Sequence, residues 1–171
     1  LINSRGENTS APFAVANSLL SIIRELDPAY LAVVFDTGKP TFRHEMYAEY
    51  KATREKMPED MAAQIPRVFE AVDALGIPRL EMEGYEADDI IGTLARRGDS
   101  AGCRVFMVTG DKDFIQLVSE DAAIWDPMKD KVIDLETVRR DFGLAPQQMI
   151  DVMGLSGDVS DNVPGIPGIG P

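Results

Sequence analysis

The stretch Gly84-Tyr85-Glu86-Ala87-Asp88-Asp89-Ile90-Ile91 places three carboxylates within four residues, directly ahead of an apolar helical run. Pro78-Arg79-Leu80-Glu81-Met82, just before it, reads as a strand, and Gly84 can make the turn between them. A helix starting near Glu86 puts the acids in its first turn, pointing out of one end. The helix macrodipole alone favours acids there, by about 0.3–1 kcal/mol each. One such acid needs no function. Three packed together repel one another, and a cation is the simplest way to relieve that.

Working outward, two further segments repeat the pattern of an apolar strand that ends in acid. Tyr30-Leu31-Ala32-Val33-Val34-Phe35-Asp36 is a continuous apolar run closed by a carboxylate, as a buried parallel strand reads. Arg104 to Val108 is another, followed by Thr109-Gly110-Asp111-Lys112-Asp113. Helices are predicted between and around them. The first runs from Ala14 to Leu26 and is stopped by Asp27-Pro28. A second starts at Pro58-Glu59-Asp60 and runs to about Leu75, kinked at Pro66. Others span Glu86 to Arg97, Phe114 to Val118, Glu136 to Phe142 and Pro146 to Leu155. Ala123-Ile124-Trp125 and Lys131-Val132-Ile133 read as a hairpin around Pro127, and Ser156 to Asn162 as a polar loop. Alternating strands and helices predict an α/β fold: a mostly parallel central sheet with helices on both faces. Ligands in such folds bind outside the carboxyl ends of the strands. Asp36, Glu86 and Asp111 each follow a strand and are expected to gather at that edge.

Composition narrows the chemistry. The 171 residues, 44% hydrophobic, suit one core, here assigned to residues 1–155 with an acidic loop and a Gly/Pro-rich tail over 156–171. No apolar run approaches the ~20 residues needed to span a bilayer, and no signal-peptide pattern opens the sequence, so no membrane partner is expected. The lone Cys103 cannot form an internal disulfide, and the simpler reading is a reducing, cytoplasmic setting. A single His and a single Cys exclude the usual zinc ligand sets, so any metal has oxygen ligands: Mg²⁺, Mn²⁺ or Ca²⁺. The net charge of −12 argues against nucleic-acid binding. Its distribution softens the objection, because Lys39 to Lys56 carries five basic side chains against three acidic ones. A basic stretch beside concentrated acids can grip phosphate once cations neutralise the acids.

Asp36, Glu86, Asp88, Asp89, Asp111, Asp113, Asp158 and Asp161 make eight carboxylates on four segments. They cannot all ionise close together without cations. Carboxylate-held divalent ions ~3.5–4 Å apart are the two-metal device for phosphoryl chemistry. Taken alone, Asp158 and Asp161 read better as ordinary loop acids, while Asp111 and Asp113, straight after a buried strand, read equally well either way.

Six ordered motifs now matter together. They are Val34-Phe35-Asp36, Phe42-Arg43-His44-Glu45, Tyr50-Lys51, Gly84-Tyr85-Glu86-Ala87-Asp88-Asp89, Thr109-Gly110-Asp111-Lys112-Asp113 and Gly157-Asp158-Val159-Ser160-Asp161-Asn162, with Val163-Pro164-Gly165 after them. In that order the chain resembles the 5′-nuclease (flap endonuclease) family, represented by the N-terminal domain of bacterial DNA polymerase I. The resemblance implies a Mg²⁺-dependent, structure-specific nuclease, with Mn²⁺ able to substitute. Its partners would be DNA with a 5′ flap or nick and RNA–DNA primers, and it would act as a nucleoid-associated monomer. On that reading Asp36, Glu86, Asp88 and Asp111 hold the first metal. Asp113, Asp158 and Asp161 serve the second, with Asp89 supporting them. Lys51 and Arg54 match basic residues at the base of an arch and clamp the scissile phosphate. Arg43 and His44 match phosphate contacts. Tyr47 and Tyr50 suit stacking on bases or packing equally. Gly165-Ile166-Pro167-Gly168-Ile169-Gly170 resembles the hairpin of a helix–hairpin–helix module, whose backbone N–H groups hold a DNA phosphate, commonly with K⁺.

The chain departs from the family pattern at both ends. The family's first central strand, with its Asp-Gly, is expected before Leu1, and the second helix of the hairpin module after Pro171. Other readings fit less of the chain. Asp36-Thr37-Gly38 mimics the aspartic-protease signature, but no second Asp-Thr-Gly exists. A stand-alone flap endonuclease, a non-catalytic DNA-junction module of the same fold and a metal-dependent ribonuclease are the alternatives. Eight acids exceed what junction binding alone needs, and the hairpin-like terminus favours DNA.

Overall fold

The computed structural model describes residues 1–127 and 129–170. In chain order the elements begin with α1 (Ser10–Leu26), β1 (Val33–Val34), α2 (Phe42–Met46), α3 (Glu59–Ala62), α4 (Ile65–Ala74) and β2 (Arg79–Leu80). Then come α5 (Ala87–Ser100), β3 (Val105–Val108), a 3₁₀ helix (Lys112–Leu117), β4 (Ala122–Asp126) and β5 (Lys131–Ile133). Last are α6 (Leu135–Phe142), a 3₁₀ turn (Pro146–Gln148), α7 (Met149–Ser156), β6 (Gly157–Asp158) and β7 (Val163–Pro164). The chain divides into two compact units: Leu1–Thr37 with Glu55–Met82, and Gly38–Arg54 with Glu83 onward.

In the first unit, β1 and β2 pair in parallel, Val33 opposite Arg79 and Val34 opposite Leu80. The seven-residue apolar run expected as a strand contributes only these two ladder residues. α1 buries Leu19 and Ile22, α4 buries Val68 and Val72, and the two helices pack together. Asp27 ends α1 in the left-handed conformation (φ 42°), its N–H donated to the Ile23 carbonyl, and Pro28 cannot continue the helix. Pro66 does not kink a long helix. It sits in the first turn of α4, where its missing N–H costs no hydrogen bond, and the chain breaks between α3 and α4 instead. The buried Gln64 fills that break: its amide donates to the Asp60 carbonyl (2.9 Å) and its Oε1 accepts the Ala11 N–H (2.9 Å).

The second unit holds the larger core. β4 lies between β3, parallel, and β5, antiparallel. The β4–β5 hairpin is the one predicted around Pro127. The core joins Ala95 of α5, Met107 of β3, Ile124 of β4, Phe114, Ile115 and Val118, with Val138 of α6 and Met149 of α7. Residues 157–164, expected as loop, form a small antiparallel hairpin of β6 and β7. The hairpin depends on glycine. A Cβ on Gly165 would stand 2.1 Å from the Ser156 carbonyl oxygen, so only hydrogen fits there. The fold is mixed α/β as expected. Its described strands form three small sheets rather than a single ladder. Among the described residues no helix is long and apolar enough to cross a membrane.

Candidate metal and nucleic-acid site

Glu86 is the N-cap of α5, as the acidic stretch implies, and Asp88 and Asp89 lie in the helix's first turn. Asp89 Oδ2 accepts the Glu86 N–H at 2.9 Å, satisfying one of the otherwise unpaired amides at that end. Asp89 also takes both guanidinium nitrogens of Arg43, each at 2.7 Å. This fork, more than any other influence, holds the Asp89 carboxyl below the usual range, with burial opposing it. Arg43 Nη1 reaches Glu86 Oε2 at 3.7 Å. α2 therefore docks its arginine against the acidic start of α5.

The turn after α2 brings in the next groups. Lys51 Nζ lies 2.8 Å from Glu86 Oε1 and 3.9 Å from Asp161 Oδ1. Arg54 Nη2 is 3.8 Å from the same Asp161 oxygen. The Tyr50 hydroxyl sits 3.0 Å from Glu86 Oε2 and 2.9 Å from Asp161 Oδ2. One phenolic proton thus serves two carboxylates 75 residues apart in sequence. Burial, then these two acids, push the phenol's pKa upward. Tyr50 is 7% exposed, its ring beneath the Lys51 ammonium (5.0 Å) and edge-on to His44 (5.3 Å). It is a bridge inside the protein, whereas Tyr47 is exposed. His44 also has local work: its Nδ1 accepts the Thr41 N–H at 3.1 Å and closes the start of α2.

The remaining acids approach from β3 and from the β6–β7 hairpin. Asp111 Oδ1 accepts the Asp113 N–H (2.9 Å) and caps the 3₁₀ helix that follows β3. Asp158 Oδ1 accepts the amides of Ser160 (2.7 Å) and Asp161 (3.2 Å), shaping the hairpin's loop. Lys112 lies 3.8 Å from Asp158 Oδ2. Asp113 is the acid under most strain. Its Oδ1 is buried with no hydrogen-bond partner among the described residues. Burial first, then the charges of Asp111 and Asp158, push its pKa up to about 6.

Six of the eight predicted acids are thereby linked within the second unit: Glu86, Asp89, Asp111, Asp113, Asp158 and Asp161. Asp88 lies beside them in sequence on α5. Asp36 follows β1 in the first unit. Gly165 is explained by its contact with Ser156, while Gly168 (φ 83°) lies in the turn after β7 and Gly170 (φ 153°) in the irregular segment beyond it. Among the described residues no three His, Cys, Asp or Glu side chains are arranged to hold an ion as they stand. Arg43, Lys51, Arg54 and Lys112 provide the countercharge. The chemistry of the donor set nevertheless suits a hard divalent cation. Every donor is a carboxylate, and the Asp113 oxygen is buried without a partner. Between the basic turn and the hairpin opens a cleft of about 430 Å³, lined by Tyr47, Thr53, Val159, Asn162, Val163 and Pro164. Asn162 was not expected to matter. Its amide donates to the Glu49 carbonyl at 2.8 Å, a contact no local signal announces.

Comparison with known proteins shows the family of the chain. Residues 1–143 match the family described as 5′-3′ exonuclease, N-terminal resolvase-like domain. The DNA polymerase I of Chloroflexus aurantiacus is 48% identical over 177 residues, covering 99% of this chain and 19% of that protein. A 5′-3′ exonuclease of Aquifex aeolicus is 44% identical over 171 residues, covering all of this chain and 59% of that one. The chain thus spans about a fifth of the length of the polymerase relatives it matches. The bacteriophage T5 flap endonuclease, solved with DNA and metal ions, superposes with a TM-score of 0.78 at 20% identity, over 97% of this chain and 66% of that one. At that identity the likeness speaks for the fold. The family match over 143 of 171 residues decides the rest: the chain belongs to the 5′-3′ exonuclease N-terminal, resolvase-like family.

Proposed function

We propose that this chain is the nuclease part of a divalent-metal-dependent 5′-3′ exonuclease that hydrolyses phosphodiester bonds at 5′ flaps, nicks and RNA–DNA primers. The observation that carries the reading is the acid set around Asp113, with its unpartnered buried oxygen, in the same unit as Arg43, Lys51 and Arg54. Named relatives point the same way, since they are DNA polymerases I and 5′-3′ exonucleases.

Glu86, Asp88 and Asp111 would hold one Mg²⁺, and Asp113, Asp158 and Asp161 a second, with Mn²⁺ able to replace it. Asp89 is already engaged by Arg43 and the Glu86 amide, so its part is to hold the start of α5. When bound, such ions supply Lewis-acid chemistry, acidifying water and offsetting charge on a phosphate. The protein's own cations do the rest. Lys51 and Arg54, freed from Glu86 and Asp161, hold the scissile phosphate and stabilise its developing charge. Tyr50 fixes the spacing of Glu86 and Asp161. Tyr47, exposed at the edge of the cleft, offers a ring on which a base can stack. The tail with Gly165, Gly168 and Gly170 is assigned to backbone contact with a DNA phosphate, with K⁺ as the accompanying ion.

The test is cleavage of a labelled 5′-flap DNA by the intact protein. Cutting is expected only with Mg²⁺ or Mn²⁺ present, and cutting in excess chelator would refute the mechanism. Asp111→Asn should abolish cleavage while DNA binding persists in Ca²⁺. A variant that binds and cuts normally would remove Asp111 from the site.

A further inference from the structure

Two segments far apart in sequence meet backbone to backbone beside Lys51. The Lys51 N–H donates to the Asp161 carbonyl at 3.0 Å, and the Asn162 side-chain amide donates to the Glu49 carbonyl at 2.8 Å. The two bonds run in opposite directions across the same junction. Both junction segments carry a residue in the left-handed region. Lys51 has φ 55° and Asn162 has φ 57°, two of the four non-glycine residues so placed among the described residues. Asparagine adopts this conformation readily, and lysine does so only when its surroundings enforce it. The conformation of Lys51 sets where its side chain leaves the backbone, and so where Nζ lies relative to Glu86 and Asp161. Residues 48–53 are turns, closed locally by the bonds from the Tyr50 N–H to the Tyr47 carbonyl (3.0 Å) and from the Ala52 N–H to the Glu49 carbonyl (3.1 Å), the same carbonyl that takes the Asn162 amide.

We propose that Asn162 is a positioning residue for Lys51. Its amide, anchored on the Glu49 carbonyl, locks the turn in the left-handed form that aims the Lys51 ammonium into the acid cluster. The functional weight of this rests on the reading of Lys51 as a phosphate clamp, but the positional link can be measured without it.

The experiment uses Asn162→Asp, which keeps size and tolerance of left-handed φ but replaces the amide donor by an acceptor facing the Glu49 carbonyl. Asn162→Gly provides the uncharged control if the aspartate variant folds poorly. Amide hydrogen exchange at Lys51, read without DNA or metal, should quicken by about tenfold, the scale of one lost hydrogen bond. Single-turnover cleavage at saturating flap DNA should slow by about tenfold on the same basis, with the half-saturating DNA concentration changed less than about twofold. In a Lys51→Ala background Asn162→Asp should slow cleavage no further, because residues acting through one another are not additive. Wild-type exchange at the Lys51 amide in both Asn162 variants overturns the proposal, whatever happens to cleavage. So do losses that multiply with Lys51→Ala. If Lys51→Ala itself cuts at full rate while exchange in Asn162→Asp is fast, the clamp role of Lys51 falls and the positional link stands.

Discussion

Arg43 and Asp89 form a two-pronged ion pair, with both nitrogen–oxygen contacts at 2.7 Å. The same carboxylate accepts the Glu86 amide. One interaction therefore ties α2 to the first turn of α5 and fixes the residue at the head of the acidic stretch.

Arg43→Ala should lower stability by about 1.5–3 kcal/mol, the range for hydrogen bonds to a charged group, toward the low end because the pair is partly solvated. Arg43→Lys should recover only part, since an ammonium cannot make the fork. Urea denaturation measures both. The pH dependence has a fixed sign. Asp89 has a lowered pKa when folded, so its contribution is present above the ordinary carboxylate value of about 4 and is lost as pH falls through the lowered value. The gap between wild type and Arg43→Ala should therefore close in acid. A gap that did not change with pH would show that the loss does not come from the charge on Asp89.

Asp113 has the opposite sign. Its pKa is raised to about 6, so its ionisation works against the fold as pH climbs from about 4 to 6. In chelator at pH 7.5, Asp113→Asn should melt higher than wild type, with the advantage gone near pH 4. With Mg²⁺ added, the order should reverse if Asp113 is a ligand. Equal melting temperatures in all three conditions would contradict both halves.

Gly165 and Gly168 separate packing from conformation. Gly165→Ala forces a methyl against the Ser156 carbonyl and should cost at least the ~1–3 kcal/mol of overpacking. Gly168→Ala meets open space and carries only the left-handed penalty, about 1–2 kcal/mol. Thermal unfolding that ranked Gly168→Ala as the worse variant would mean the hairpin has more slack than its geometry implies.

Lys51→Ala removes the cation nearest Glu86. Cleavage at saturating DNA should slow by about 10²–10³, the usual loss for one charge-stabilising donor, while binding in Ca²⁺ weakens far less. If binding fell more than the rate, Lys51 would be an anchor for DNA and no more.

The sequence revealed the acidic turn because its signal is local: Glu86 caps α5 within the eight residues that announce it. β3 and the β4–β5 hairpin were legible for the same reason. Pro66 misled because the apolar spacing from Met61 to Leu75 runs unbroken through the gap between α3 and α4. Nothing local shows that Gln64 fills that gap by reaching Ala11. The run from Tyr30 to Asp36 could not disclose how little of it is paired, since apolar character does not specify a ladder partner. β6 and β7 escaped notice because Gly157-Asp158 and Val163-Pro164 have turn composition, and only their mutual pairing makes them strands. The site's internal wiring was hidden most completely. Tyr50 and Asp161 are 111 positions apart, and no spacing rule predicts that a tyrosine suited to stacking would be buried between two acids.

β5 is three residues long and stands at the margin of its sheet, with Lys131 at its start held by Asp141. A short strand bearing a charge is a poor template for a second molecule's backbone. The parallel pair β3 and β4, which must assemble across a connection rather than a tight turn, is thereby shielded on one side from intermolecular growth during folding. Replacing Lys131 by an apolar β-branched residue would expose this chain to aggregation at concentrations the native sequence tolerates.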